Sequence, residues 1–211
     1  MLKLAVLASG RGSNLQALID AIGAGELDAG IVGVFSDKAA SGALAIARGA
    51  GLAAVHIDPK AYGSRAAFDA ALFAAIDACG AELIVCAGFM RILSPEVVAP
   101  RTSRMINIHP SLLPKYPGLH THQRALEAGD REHGASVHAV IPALDAGPLI
   151  AQTRIAIDPA DSPERLAARL LPREHQLLLQ VVRWIAAGRL RFDARAVHFD
   201  ERRLSEPLRV G

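Results

Sequence analysis

Short unbroken apolar runs alternate, along the first half of the chain, with segments whose apolar positions recur at helical spacing. The runs at 2–8, 31–35, 53–57, 82–87 and 104–108 read as strands. Between them, 14–22, 42–48, 64–78 and 95–99 read as helices. In 14–22, Leu15, Leu18, Ile19 and Ile22 share one helical face. Ser64 is placed to cap the longer helix, and Pro95 opens the shorter one at its first turn. Strands without polar alternation are buried on both faces. The pattern therefore predicts a doubly wound α/β fold, with a mostly parallel sheet of Rossmann-like type and the first strand central.

The second half reads differently. A helical pattern at 123–128 precedes strand-like runs at 135–141 and 149–157, joined by "PALDAGP". A long helical pattern covers 163–187, with Pro172 inside it. The runs "GRLRF" and "AVHFD" suggest a short hairpin, and the tail after Ser205 is expected to fray. No repeat, low-complexity segment or flexible linker divides the 211 residues. One domain is expected, with a nucleotide-binding half at 1–100, a catalytic half at 101–190 and a tail at 191–211.

Composition narrows the function classes. Apolar residues make up 51% of the chain and aromatics 4%, so aliphatic side chains fill the core. A net charge of +2, without a basic run, gives no reason to expect nucleic acid or a membrane surface as partner. The apolar start is too short to span a bilayer and has no signal-peptide cleavage pattern, so a cytoplasmic setting is expected. Cys79 and Cys86 match no zinc or redox spacing and read as free thiols. Eight histidines invite a metal reading. None stands in a His-Glu-x-x-His arrangement and no cysteine cluster accompanies them, so no metal is expected.

Two stretches carry chemistry. "ASGRGSN" joins the first strand to the first helix, where glycines permit a tight turn and the helix presents free amides. It is neither a dinucleotide fingerprint nor a Walker A loop, and it suits an anion or a plain turn. "MINIHPSLLPKYPGLH" runs a strand end into a loop stiffened by prolines. Asn107 and His109, two apart, project to the same side of that strand. Asp145, in "LDAGP", is placed to reach an imidazole. Each alone has a plain structural reading: a strand terminator, a structural hydrogen-bond donor and an Asx-turn.

Together with "AGFMRILSP", "GASVH" and "LDAGP", the stretch "NIHPSLLPKYPGLHTHQRAL" resembles the folate-dependent formyltransferases, from Leu2 to about Leu190. The opening "SGRGSNLQALID" is similar to the branch that formylates glycinamide ribonucleotide in purine synthesis. The resemblance implies a 10-formyltetrahydrofolate donor, no metal and small-molecule substrates, and a weak homodimer is compatible with it. It implies a catalytic trio of Asn107, His109 and Asp145. Gly12, Ser13, Asn14 and Glu174 would hold the nucleotide. Arg65, Met90, Arg91, Ile92, Leu93 and Asn107, with Ile141, Pro142, Ala143, Leu144 and Asp145, would bind the folate.

Formyl transfer needs donors placed for an oxyanion, which Asn107 and a cationic His109 would supply, with Asp145 raising the imidazole pKa. Pro172 departs from the family pattern and puts the contacts at 171–173 in question. Ala143 and Ala146 do the same for loop flexibility. The alternatives are another 10-formyltetrahydrofolate-dependent transferase, acting on methionyl-tRNA or sugar nucleotides, a formyltetrahydrofolate hydrolase, or a non-catalytic nucleotide-binding module. The methionyl-tRNA enzyme would need an RNA-binding domain for which the length leaves no room, the sugar-nucleotide enzymes should lack the Gly-Ser-Asn loop, and the nucleotide-binding module has no use for the trio.

Overall fold

A computed structural model describes residues 1–211. The strands β1 (Leu2–Leu7), β2 (Ala29–Ser36), β3 (Ala54–His56), β4 (Leu83–Cys86) and β5 (Met105–His109) form a parallel set in the order β3-β2-β1-β4-β5. The antiparallel strand β6 (Glu132–Ala139) joins the outer side of β5, and β7 (Leu149–Ala156) follows it. The order reverses between β1 and β4, which opens a crevice beyond their C-terminal ends.

Why the strands are apolar throughout follows from which core each side chain enters. Leu4 and Val6 of β1, Leu83 and Val85 of β4, and Ile106 and Ile108 of β5 pack into one core. That core is completed by the helices α1 (Ser13–Gly23), α2 (Gly42–Gly49) and α6 (Pro163–Ala186). Ala5, Leu7, Ile84, Cys86 and Met105 face the other way, onto α3 (Arg65–Ala78) and α4 (Pro95–Val98). Fully burying one Leu or Phe contributes about 1.5–3 kcal/mol, so each face stabilises its helices strongly. Ser64 caps α3, its Oγ accepting from the Ala67 amide at 3.1 Å.

The same parity places the chemistry. Met105, Asn107 and His109 point to the α3 side, as alternation requires. In β6, Ala135, Val137 and Ala139 enter the first core, so Ser136 and His138 point to that same α3 side. Beyond α3 and α4 the loops 110–120 and 140–148 meet through the Gly118 amide and Asp145, and His109, Ser136 and His138 are buried.

Two features differ from the sequence expectations, at α5 and at the tail, while α6 runs through Pro172 as its pattern predicts. Helix α5 (Thr121–Glu127) starts earlier than 123, following a left-handed His120. The tail does not fray: β11 (Leu208–Arg209) adds in parallel to the free edge of β7, with Leu208 and Val210 against the core. Backbone pairing and apolar burial hold it. Pro172 does not break α6, because it lies on the exposed face, where the carbonyl of Ala168 can reach water. The expected hairpin is present as β8 (Leu190–Phe192) and β9 (Val197–Phe199), extended by β10 (Arg202–Arg203).

Gly12 is required by packing as well as by its turn. It sits at φ 83, and a Cβ there would meet the Ala43 Cα at 2.7 Å, where the N-termini of α1 and α2 approach. Gly12→Ala should therefore lose about 2–4 kcal/mol of stability in a urea titration, from left-handed strain plus overpacking. A wild-type unfolding midpoint would show that the two helices part freely.

Candidate functional site

Three segments converge at the C-terminal end of β5. Asn107 and His138 are direct cross-strand partners in the β5–β6 register, and His109 pairs likewise with Ser136. The loop after β5 is pinned by side chains rather than by secondary structure. Thr121 Oγ1 donates to the Pro110 carbonyl at 2.6 Å, and Ser111 Oγ donates to that of Lys115 at 2.6 Å. The Leu113 amide donates to Ser136 Oγ at 3.1 Å, and Gln152 Nε2 donates to the Leu113 carbonyl at 2.9 Å. Asp145 adopts a left-handed φ of 48, which Asp tolerates better than most residues. Its Oδ2 accepts from the Gly118 amide at 2.8 Å, tying the two loops together.

The protons on the imidazoles follow from their partners. His109 Nε2 lies 2.9 Å from the Tyr116 carbonyl, and His138 Nδ1 lies 2.8 Å from that of Ala139. A carbonyl only accepts, so each of these nitrogens carries the proton. When neutral, the rings turn lone pairs inward, at His109 Nδ1 and His138 Nε2. The Asp145 carboxylate stands between them, 3.6 Å from each. At that distance the contacts act through charge rather than as hydrogen bonds.

Burial is the largest influence on His109 and lowers its pKa, although the Tyr116 carbonyl and the Asp145 charge pull it upward. Burial also pushes the Asp145 carboxyl up, but the Gly118 amide and the pull of any proton carried by His138 or His109 outweigh it and hold the group below its ordinary value. The expected upward pull of Asp145 on His109 is therefore present, yet in the free protein desolvation exceeds it. His109 is neutral beside a charged Asp145 at pH 7. The imidazolium expected in the reacting complex is therefore not a feature of the free protein.

A cavity of about 100 Å³ opens beside this cluster. Arg91, Ile92, Leu93, Asn107 and the run 141–145 line it, joined by His138. Arg91 also stacks over the Phe68 ring at 4.9 Å. Two residues assigned to this pocket from the resemblance do not line it. Met90 is 60% exposed, with its amide committed to Ser9 Oγ at 2.9 Å, and Arg65 is exposed at the start of α3. His138 was not singled out from the sequence as a functional residue. Its signal was polar alternation, Ser136 then His138, in an otherwise apolar strand.

A second, wider cleft of about 410 Å³ lies between α1 and α6, lined by Arg11, Ser13, Leu171 and His175 among others. Gly12 caps α1 without a side-chain bond, which leaves first-turn amides free for an anion. Gly12, Asn14 and Glu174 do not themselves line this cleft, but they adjoin residues that do. Glu174 is buried, and desolvation raises its carboxyl to about 7 against the pull of the Asn14 side chain and the Arg11 charge. No helix is long and apolar enough to cross a membrane.

Known proteins match this chain over most of its length. A family model described as formyl transferase matches residues 2–182. The chain is 46% identical over 203 residues to phosphoribosylglycinamide formyltransferase of Escherichia coli strain K12, covering 96% of each. It is 39% identical to a region of the human trifunctional purine biosynthetic protein adenosine-3, matching 88% of this chain and 18% of that much longer one. A solved structure of phosphoribosylglycinamide formyltransferase from Coxiella burnetii superposes with a TM-score of 0.95 at 45% identity, covering 100% of this chain and 99% of that one. Sequence and fold match over nearly the whole length, including the two strands and two loops that assemble the cluster, and so the chain belongs to the formyl transferase family.

Proposed function

We propose that this protein transfers the formyl group of 10-formyltetrahydrofolate to the amino group of glycinamide ribonucleotide, giving the formylated nucleotide and tetrahydrofolate, in a cytoplasmic setting. The observation that carries the reading is the convergence of Asn107, His109 and Asp145 beside a cavity lined by 91–93 and 141–145. The anion-ready start of α1 suits the nucleotide phosphate, through the amides of Ser13 and Asn14. Family relatives named for this reaction cover nearly the whole chain.

The geometry suggests how protons move. The substrate amine attacks the formyl carbon, a C–N bond forms, and the carbonyl electrons pass to oxygen. An N–H of Asn107 stabilises that oxyanion. Neutral His109 accepts the amine proton on Nδ1 and becomes an imidazolium, which Asp145 steadies at 3.6 Å. The intermediate then collapses: the bond to the folate nitrogen breaks, and that nitrogen takes the proton back from His109. The developing oxyanion adds to the pull of Asp145 and raises the proton affinity of His109 as charge develops, which is when it is useful. No covalent enzyme intermediate enters this scheme. The direct test is turnover by the purified protein with both substrates. Absence of formylated nucleotide would sink the reading.

Asn107→Ala should lower kcat by about a hundredfold or more while folate and nucleotide still bind, because the lost donor acts mainly in the transition state. Near-normal kcat would remove Asn107 from the mechanism.

Asp145→Asn should lower the His109 pKa further, since the carboxylate is one of the groups raising it. Histidine titration by NMR reads this directly. An unchanged value would assign Asp145 only the task of holding Gly118.

Glu174 makes a pH prediction whose sign is fixed. Its folded pKa, about 7, stands above the ordinary 4.5. Its contribution to stability is full below pH 4.5 and is lost as pH rises to about 7. Glu174→Gln should gain stability relative to wild type across that window, by on the order of 1–3 kcal/mol, and stay level above it. Urea melts at both ends measure it. A constant difference would mean that the carboxyl ionises freely.

A further inference from the structure

Asn107 can stabilise an oxyanion only if it turns its amide nitrogen, and not its oxygen, toward the reacting carbonyl. A primary amide can rotate by half a turn at little cost unless a neighbour distinguishes its two ends. We infer that His138 is that neighbour: its lone pair selects the amide orientation of Asn107 and makes it a positioning residue for formyl transfer.

Four observations support this. His138 is 2% exposed, so water does not compete for its inner nitrogen. Its Nδ1 proton is committed to the Ala139 carbonyl at 2.8 Å, which leaves Nε2 as an acceptor in the neutral ring. Asn107 Nδ2 lies 3.1 Å from that Nε2. The two residues are paired across β5 and β6, so the contact is set by sheet register and not by a flexible loop. With one amide hydrogen held by His138, the other is left for a ligand, and both residues line the cavity. In the reversed orientation the amide oxygen would meet the Nε2 lone pair, and an acceptor would face the developing oxyanion.

Two titratable groups, Asp145 and His109, face His138. Asp145 Oδ1 is 3.6 Å from Nε2, and the same carboxylate is 3.6 Å from His109 Nδ1 on its other side. A proton on Nε2 would convert the acceptor to a donor and invite the amide to turn.

The inference rests on the formyl-transfer reading, and the experiment separates the two. In the full-length protein, His138→Phe should lower kcat by about tenfold or more, with the KM for 10-formyltetrahydrofolate changed less than about twofold. In the Asn107→Ala background the same substitution should add almost nothing, since the amide it orients is gone. His138→Gln can present an amide oxygen to Asn107 and should recover most of the loss. Wild-type kcat in His138→Phe, or a full multiplicative loss on top of Asn107→Ala, would overturn the inference. Nitrogen NMR of the wild-type imidazoles gives a reading that does not need activity or a foldable variant. His138 should be neutral with its proton on Nδ1, and a proton on Nε2 would refute the orientation. Should the wild-type protein fail to transfer formyl groups, the functional reading falls, and the NMR result still decides whether His138 sets the amide.

Discussion

The register between β5 and β6 is the constraint on which the site depends. One antiparallel strand added to a parallel sheet sets Asn107 against His138 and His109 against Ser136. All four point to the face opposite the larger core. A slip of one residue in β6 would turn Ser136 and His138 into the larger core and take Ala135, Val137 and Ala139 out of it. The apolar parity of β6, through Ala135, Val137 and Ala139, fixes the register from below. Hydrophobic burial thus sets the geometry of polar chemistry that it does not itself touch.

The loops then supply what the sheet cannot. The segment after β5 has no regular ladder, and its backbone groups are met by Ser111, Thr121, Ser136 and Gln152. Asp145 is held by an amide from that same segment, at a left-handed backbone position. Its carboxylate consequently stands between two inward-facing imidazole nitrogens whose outer nitrogens are tied to carbonyls. A neutral His109 beside a charged carboxylate forms a site ready to receive one proton and return it. Low accessibility makes that charge pair worth more than it would be on the surface.

Much of this was legible in the chain. Continuous apolar strands between amphipathic segments dictate a sheet covered on both faces, because no other arrangement buries both sides. The i, i+2 spacing of Asn107 and His109 places them on one side of a strand without further information. Specific words such as "NIHPSLLP" and "LDAGP" identify the family and point to Asp145. The left-handed turn at Gly12 belongs to a glycine for local reasons, and so does the capping by Ser64.

What only the tertiary structure decided is long-range. The pairing of His138 with Asn107 depends on how two strands 31 residues apart align, and no local pattern states that alignment. The protonation of His109 depends on burial set by several segments at once, so that desolvation exceeds the charge of a neighbouring carboxylate. The fate of Pro172 depends on which side of α6 meets the core, since a missing amide is cheap only where water replaces it. The tail is ordered because β7 offers it an unpaired edge, a partner more than fifty residues away in sequence. Local sequence thus determined the elements and the reactive residues, whereas charge state, amide orientation and edge pairing arose from contacts that exist only when the chain is folded.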